Sequence, residues 1–314
     1  MKILVTGGAG FIGSNLIQSL IKANHDICCL DDFNDYYDPR IKRENIREFL
    51  DYNSFKVNEC DIQDYKKMKE IFRKENFELV VHLAARAGVR PSIAEPDLYN
   101  RVNMIGTTHL LDLAKENKVK QFIFGSTSSV YGVNSKVPFS EDDRIDKPIS
   151  PYSASKIGAE MSCHVYHYLY KLNVTILRFF TVYGPRQRPE MAIHNFAMKI
   201  LKGEPLPFFG DGSSRRDYTY VDDIVGGILK AIEKNFEYDV FNLGNSKTTS
   251  LAELVELLEV TLGKKAVLKR LPMQQGDVPI TYADITKSRS VLGYDPKTSI
   301  KEGIEKFANW LLKK

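Results

Sequence analysis

A tyrosine and a lysine, Tyr152 and Lys156, stand four residues apart in the stretch PYSASK. On a helix this spacing brings both side chains to one face. A tyrosine can act as a general base only if its phenol loses a proton near neutral pH, although its free pKa is ~10. Lowering that pKa by ~3 units requires ~4 kcal/mol of differential stabilisation, which a neighbouring ammonium group helps to supply. The pair is common by chance, so its interpretation depends on the motifs around it.

A glycine-rich segment, TGGAGFIG at residues 6–13, follows a short apolar strand and opens a helix. It satisfies both the GxGxxG and the TGxxGxxG patterns. Glycines let the backbone approach a pyrophosphate, and the helix N-terminus supplies free N–H groups and partial positive charge. The sequence therefore predicts a dinucleotide site here, formed by Gly7, Gly10, Phe11, Ile12 and Gly13.

An acidic residue, Asp31, ends the second predicted strand. A carboxylate at this point hydrogen-bonds the adenosine ribose and repels a 2′-phosphate, so NAD is favoured over NADP. The basic segment 40–43 keeps NADP open, and Lys42 within it is a candidate cofactor contact. Asp61 and Ile62 follow the third strand and are predicted to cover the adenine.

A hydroxyl-rich turn, GSTSSVYG, continues the predicted strand Gln121–Phe124 and contains Thr127, Ser128 and Ser129. Ligands of open parallel sheets bind beyond the carboxyl ends of the strands. These hydroxyls are therefore predicted to bond a hydroxyl of the substrate.

Strand-like and helix-like segments alternate up to about residue 184. This alternation predicts an α/β fold with a doubly wound parallel sheet, and the proline- and glycine-broken stretch that follows predicts a second, smaller α/β domain for the substrate. We expect residues 1–184 with 218–246 to form the cofactor domain and residues 185–217 with 247–314 the substrate domain. A strand at Val240–Leu243 would return to the first sheet.

The bulk composition excludes several function classes. The net charge of +4 over 314 residues is too weak for a dedicated nucleic-acid binder. No apolar run approaches the ~20 residues of a membrane span, and the N-terminus does not resemble a signal peptide. The four cysteines form no CxxC pair. They are typical of core thiols in a reducing compartment, so we expect a cytoplasmic protein without a metal site.

In this order, TGGAGFIG, Asp31, HLAA, GSTSSVYG and YSASK resemble the extended short-chain dehydrogenase/reductase family over essentially the whole chain. The stretches RDY, VDD and GDVP further along resemble its nucleotide-sugar epimerase and dehydratase branch. The resemblance implies a Rossmann domain, a small substrate domain and tightly held NAD. It also implies a homodimer paired through a four-helix bundle, here the helices near Leu98–Glu116 and Ala154–Tyr170.

The resemblance assigns roles residue by residue. Thr127, Tyr152 and Lys156 match the catalytic triad of the family. The residues placed at the cofactor are Leu83, Ala84, Ala85 and Asn103, the last matching a helix asparagine that holds the geometry of the site.

On the substrate side, Arg216 matches a diphosphate-binding arginine and Asp277 an acid on the uridine ribose. Asn195 is a further candidate substrate-binding residue. Many neutral-sugar epimerases have an arginine three positions before that acid, where this chain has Gln274. Diphosphate binding would then depend on Arg216, together with Arg188 or Arg270.

The two residues after Thr127 predict the reaction. Related 4,6-dehydratases have Asp-Glu there, and related uronate decarboxylases have a Glu two positions after the threonine. This chain has Ser128 and Ser129 instead. Without an extra acid, removal and return of a hydride at C4 is the simplest chemistry, which predicts epimerisation of a UDP-sugar.

The stretches DFNDYY, at 32–37, and FFTVYGPRQRP, at 179–189, resemble UDP-glucuronate 4-epimerases, and neutral-sugar relatives usually carry Asn at the position of Thr181. Hydroxyls of Ser128, Ser129 and Thr181 would hold the sugar carboxylate. The candidates for positive charge beside it are Arg90, Arg186 and Arg188. Three alternatives stay open: a 4-epimerase for UDP-glucose or UDP-N-acetylglucosamine, a reductase using NADPH, and a non-catalytic NAD-binding protein.

Overall fold

The computed structural model describes residues 1–134, 136–272 and 278–313. Its strands, in chain order, are β1 Lys2–Thr6, β2 Asp26–Asp31, β3 Phe55–Glu59, β4 Leu79–His82, β5 Gln121–Thr127, β6 Val174–Phe179, β7 Thr181–Tyr183, β8 Pro205–Phe209, β9 Arg215–Arg216, β10 Tyr218–Tyr220, β11 Tyr238–Leu243, β12 Thr249–Ser250 and β13 Val267–Leu271. Its α-helices are α1 Phe11–Lys22, α2 Pro39–Ile46, α3 Tyr65–Glu75, α4 Val89–Ala94, α5 Pro96–Asn100, α6 Thr107–Glu116, α7 Pro151–Tyr170, α8 Ala192–Lys202, α9 Val221–Lys234, α10 Leu251–Leu262 and α11 Ile300–Leu312. Short 3-10 turns occupy Arg47–Phe49 and Ser128–Tyr131, and π-helical turns occupy Arg101–Gly106 and Ser288–Leu292.

A seven-stranded sheet, in the order β11-β6-β5-β4-β1-β2-β3, forms the centre of the molecule. Every neighbouring pair in it is parallel. The strand order changes direction between β1 and β4, and crevices at such a point bind ligands in open α/β sheets. The predicted doubly wound fold is thus confirmed, and the strand expected at Val240–Leu243 joins the sheet as part of β11.

The central strands β1, β4, β5 and β6 are buried along almost their whole length because helices cover both faces of the sheet. In β1, Ile3 and Val5 pack into one hydrophobic cluster with residues of α1 and α9. Leu4, between them, points to the other face and packs in a second cluster with residues of α3 and α6. The alternation of a strand therefore fixes which helices lie on each side.

Three elements differ from the expected pattern. The helix expected from Leu98 begins at Pro96 and is interrupted by the π-helical turn Arg101–Gly106. The helix expected from Ala154 begins at Pro151, because the Ser150 hydroxyl accepts a hydrogen bond from Ser153 N and proline suits the first helical position. The polar segment after β2 contains α2.

Outside the main sheet, β10 pairs with β7, β12 with β9, and β13 with β8. Together with α8, α10 and α11 these small sheets lie among the residues that follow β6. Among the described residues, no helix is long and apolar enough to cross a membrane.

Candidate active site

A cavity of about 510 Å³ lies along the carboxyl ends of the strands. The segments after β1, β2, β3, β4 and β6 line it, together with the end of β5 and the first turn of α7. This is the edge at which a doubly wound sheet binds its ligands.

The glycine loop connects β1 to α1. Gly7 has a φ of +65°, and its N–H donates to the Leu30 carbonyl at 2.7 Å. A Cβ at Gly13 would overlap the Gly7 carbonyl oxygen, so the loop and the helix can pack together only with glycine there. No side chain caps α1 at Gly10, which leaves the helix N-terminus suited to a phosphate.

Asp31 ties the glycine loop to the end of β2. Its carboxylate accepts hydrogen bonds from Ala9 N at 3.2 Å, Phe33 N at 3.0 Å and Lys42 Nζ at 3.0 Å. Burial raises the pKa of Asp31, and the charge of Lys42 opposes that rise. Of the basic segment 40–43, only Lys42 lines the cavity.

Helix α7 carries Tyr152 and Lys156 into the cavity. The Lys156 ammonium donates to the Gly125 carbonyl at 2.7 Å and lies 3.9 Å from the centre of the Phe124 ring. Burial lowers the pKa of Lys156 to about 7. The lysine can therefore change charge near neutral pH when its surroundings change.

The Tyr152 phenol is subject to opposing influences. Burial raises its pKa, while a hydrogen bond with Thr127 and the charge of Arg188 lower it. A general base at this position thus depends on nearby hydrogen bonds and positive charge to reach the phenolate form.

The hydroxyl-rich turn is held against α7. Thr127 Oγ1 accepts a hydrogen bond from Ser129 N at 3.1 Å and donates to Ser129 Oγ at 3.2 Å. The Ser153 hydroxyl donates to the Ser129 carbonyl, which fastens the turn to the first turn of the helix. Thr127, Ser128 and Ser129 therefore face the same cavity as Tyr152.

Asn103 lies behind the cavity lining rather than in it. Its side chain accepts from Arg86 N at 2.9 Å and donates to the Arg86 carbonyl at 3.0 Å and to Ser155 Oγ at 2.9 Å. The asparagine thus joins the segment after β4 to helix α7.

Most of the predicted site residues meet in this one cavity. Those that line it are Gly7, Gly10, Phe11, Ile12, Gly13, Asp31, Lys42, Asp61, Ile62, Leu83, Ala84, Ala85, Thr127, Ser128, Ser129, Tyr152, Lys156, Thr181 and Arg188. Those outside the lining are Arg90, Asn103, Asn195 and Arg216.

The residues outside the lining differ in their surroundings. The Arg90 guanidinium lies 5.2 Å from the centre of the Phe209 ring, and Arg216 lies in β9. Asn195 lies in α8. Asp277 and Gln274 fall outside the described residues.

Sequence reasoning left several residues of the cavity lining unassigned, and five of them are Asp32, Asn34, Tyr36, Tyr37 and Arg86. Four belong to the segment that follows Asp31, and the fifth directly follows the predicted cofactor residue Ala85. Their adjacency to predicted site residues was the available signal.

A model of the family described as GDP-mannose 4,6 dehydratase matches residues 4–307. The chain belongs to this family. It is 42% identical over 308 residues to UDP-glucuronate 4-epimerase of Thermodesulfobacterium geofontis. The aligned region covers 98% of this chain and 95% of that protein. The expected membership in the nucleotide-sugar branch of the short-chain dehydrogenase/reductases is thereby confirmed.

Two solved structures of relatives are similar over the whole chain. UDP-glucuronic acid 4-epimerase from Bacillus cereus, in complex with UDP-glucuronic acid and NAD, has a TM-score of 0.94 and 37% identity, covering 100% of this chain and 99% of that one. UDP-glucose 4-epimerase from Thermotoga maritima, with UDP-glucose, has a TM-score of 0.91 and 38% identity, with the same coverage. Both are 4-epimerases, although the family model is described as a dehydratase.

Proposed function

We propose that this chain is an NAD-dependent 4-epimerase of a UDP-sugar, and that it interconverts UDP-glucuronate and UDP-galacturonate. The observation that carries this proposal is the convergence of Thr127, Tyr152 and Lys156 on one cavity in which serines follow the threonine. The related UDP-glucuronate 4-epimerases from Thermodesulfobacterium geofontis and Bacillus cereus support glucuronate as the sugar.

The residues of the cavity fit NAD. The uncapped start of α1 and the close-packed glycines suit a pyrophosphate, and the buried Asp31 carboxylate suits a ribose rather than a 2′-phosphate. Arg40 and Arg43 pair with Asp38 and Glu59, away from the cavity lining, which weakens the case for NADP. When bound, NAD supplies the site with an acceptor for the hydride of C4 and a donor for its return.

The residues proposed to hold NAD follow successive strands of the sheet. Gly7, Gly10, Phe11, Ile12 and Gly13 are proposed for the pyrophosphate, and Asp31 and Lys42 for the adenosine ribose. Asp61 and Ile62 are proposed for the adenine, and Leu83, Ala84, Ala85 and Lys156 for the nicotinamide end. Asn103 fixes the segment after β4 from behind the cavity.

Tyr152 handles the proton of the reaction. As a phenolate it takes the proton of the C4 hydroxyl while the C4–H bond is broken, and Thr127 bonds the reacting oxygen. Lys156 stabilises the phenolate electrostatically. After the 4-keto sugar has turned over in the cavity, Tyr152 returns the proton to the oxygen of the opposite configuration.

The absence of an acid beside Thr127 argues against dehydration. Elimination of water from the sugar needs a group to protonate the leaving hydroxyl. Ser128 and Ser129 occupy the two following positions, and neither side chain carries an acidic proton near neutral pH. Oxidation and reduction at C4 therefore remain the supported chemistry.

The sugar end of the cavity suits a carboxylate. Ser128, Ser129 and Thr181 supply hydroxyl donors, and Arg188 supplies positive charge. Arg188 Nε lies 2.9 Å from a carboxylate oxygen of Glu190, but its geometry leaves the N–H without a hydrogen bond.

The uridine diphosphate would extend from this cavity towards β9. Arg216 and Arg90 are proposed for the diphosphate, Asp277 for the uridine ribose, and Asn195 for a further substrate contact. This arrangement accords with a cofactor domain of residues 1–184 with 218–246 and a substrate domain of residues 185–217 with 247–314.

A homodimer would form through the outer face of α7 and its neighbour. Met161, Val165, Tyr168 and Leu169 lie at helical spacing on α7, and each is about half exposed or more. Ile105, on the adjacent π-helical turn, is also 49% exposed. These side chains suit the four-helix bundle expected from the family. We expect the protein to be cytoplasmic.

The test is an assay of UDP-glucuronate, UDP-glucose and UDP-N-acetylglucosamine, each offered without added cofactor. We expect UDP-galacturonate as the main product, identified by NMR, and NAD as the nucleotide released on denaturation, identified by mass spectrometry. Turnover of UDP-glucose alone would reassign the sugar. Release of NADP, or a need for added NADPH, would refute the cofactor and the reaction type.

A further inference from the structure

The segment after β2 contributes several residues to the cavity lining. We call residues 32–38 the tyrosine loop. The Tyr36 hydroxyl donates to the Ala87 carbonyl at 2.8 Å, and the Tyr99 hydroxyl donates to the same carbonyl at 2.8 Å. The Tyr99 ring meets the Tyr152 ring edge-on, with centres 6.1 Å apart. The tyrosine loop is therefore anchored close to the reacting end of the cavity.

Two guanidinium groups converge on the Tyr36 ring. Those of Arg86 and Arg188 each lie 5.5 Å from its centre. Both arginines line the cavity, and both lower the pKa of Tyr36, which burial raises. Two guanidinium groups thus meet at one point of the cavity wall, where the Glu190 carboxylate offsets the charge of Arg188.

Arg86 is held in place but not neutralised. Asn103 bonds both its N–H and its carbonyl, so the backbone position is fixed from behind. Its guanidinium forms no ion pair with any carboxylate in residues 1–134, 136–272 and 278–313. An arginine at a cavity wall without an acidic partner is a ready receptor for a carboxylate or phosphate, because its planar fork can bond two oxygens at once.

We propose that Arg86 and Tyr36, with Arg188, form an anion subsite beside Tyr152 that receives the carboxylate of the sugar. The subsite deepens the proposed function and rests on it. Both guanidinium groups lie near the Tyr36 ring, and the Ala87 carbonyl holds the Tyr36 hydroxyl.

The chemistry of the sugar favours the carboxylate over the diphosphate. Carbon C6 is attached to C5, next to the reacting C4, whereas the diphosphate is attached to C1, across the ring. A charge near Tyr152 therefore lies nearer to C6 than to the diphosphate. Ser128, Ser129 and Thr181 can orient a carboxylate but carry no charge, so Arg86 adds what the hydroxyls lack.

The test compares ligands that differ in one group. The dissociation constants of UDP-glucuronate, UDP-glucose and UDP are measured by calorimetry for the wild type, Arg86→Gln, Arg86→Lys and Tyr36→Phe. We expect Arg86→Gln to weaken the binding of UDP-glucuronate about 10- to 100-fold, which is the effect of losing a charged hydrogen bond. The dissociation constants of UDP-glucose and UDP should change less than twofold. Arg86→Lys should recover part of the loss. Tyr36→Phe removes the hydrogen bond to the Ala87 carbonyl and should weaken the binding of UDP-glucuronate about 2- to 5-fold.

Arg43→Gln is the matched control. The Arg43 guanidinium also lies over an aromatic ring of the tyrosine loop, 4.3 Å from the centre of Phe33, but Arg43 does not line the cavity. All three affinities should stay unchanged. NAD content and melting temperature are recorded for every variant, so that a folding defect or a lost cofactor is recognised.

Three outcomes would overturn the subsite. Equal losses for all three ligands would assign Arg86 to the diphosphate, loss of NAD from Arg86→Gln would assign it to the cofactor, and unchanged affinities would remove it from the site. Failure of the proposed function is visible separately, because the wild type would then form no UDP-galacturonate.

Discussion

The cofactor half of the cavity and its sugar half are built in different ways. The cofactor half uses short segments that directly follow consecutive strands, such as the glycine loop after β1 and Asp31 at the end of β2. The sugar half gathers side chains from separate loops, including Tyr36, Arg86 and Arg188. In the proposed function, the first would recognise its ligand largely through the backbone, and the second through side-chain charge and hydroxyls.

This difference decides what a sequence reveals. Backbone recognition demands glycine where a helix and a loop pack closely, so it leaves a fixed pattern such as TGGAGFIG. Arg86 and Tyr36 are 50 residues apart, and only the path of two loops brings them together. No periodicity or spacing rule encodes that contact.

The same reasoning applies to the fold. Strands β1 and β4 were predictable because they are short apolar runs buried on both faces. Helix α2, PRIKRENI, was not, since only Lys42, Asn45 and Ile46 of it are buried and no apolar periodicity results. The available signal was its start, where Asp38 caps the helix and Pro39 occupies the first position.

The largest expected effect lies where the two halves meet. Tyr152→Phe removes one oxygen and keeps the ring, so turnover should fall by about 10³-fold or more while UDP-sugar affinity stays within about threefold. Single-turnover kinetics and calorimetry on the same preparation measure the two quantities. A fully active variant would remove Tyr152 from the role of base, and solvent deuterium at C4 of the product would refute direct hydride return.

Lys156→Met should separate activity from stability. Loss of the ammonium should reduce turnover by about 10²-fold or more, because the phenolate loses the positive charge proposed to stabilise it. The fold, by contrast, should gain stability, since burial lowers the pKa of Lys156 to about 7 and the ammonium is therefore costly in place. We expect the melting temperature at pH 7 to rise by about 2–6 °C.

The stability that Lys156→Met gains over the wild type should decrease as the pH rises above 7. Between the folded pKa of about 7 and the usual 10.5, the unfolded chain holds a proton that the folded protein does not, so wild-type stability rises with pH across this window. The advantage of Lys156→Met should thus be greatest at and below pH 7 and shrink towards pH 10. Denaturant unfolding of both proteins at three pH values checks this, and a constant difference would contradict it.

In the cofactor half, one added methyl group at Gly13 should disturb the packing of the glycine loop. Gly13→Ala places a Cβ against the Gly7 carbonyl oxygen and the Gly8 backbone, whereas a Cβ at Gly10 has only the Gly7 oxygen as a close neighbour, at 3.1 Å. We expect Gly13→Ala to cost about 1–3 kcal/mol of unfolding free energy and to reduce bound NAD, with a smaller stability cost for Gly10→Ala. Equal effects of the two substitutions would mean that the loop can shift.

The smallest effect is expected in the sugar half, at Thr181. This residue opens β7, its backbone N–H donates to the Asp217 carbonyl at 3.0 Å, and its side chain faces the cavity. The 4-keto form of a glucuronate is a β-keto acid, which loses CO₂ when the bond to its carboxylate can turn perpendicular to the plane of the C4 carbonyl. Removal of one of several hydroxyl donors to the carboxylate, at a net cost of about 1 kcal/mol, should therefore raise the proportion of pentose by-product about 2- to 5-fold in Thr181→Ala. Thr181→Ser keeps the hydroxyl and should stay at the wild-type proportion. Chromatography of the UDP-sugars after complete conversion measures both, and an unchanged pentose fraction in Thr181→Ala would leave orientation of the carboxylate to Ser128, Ser129 and the arginines.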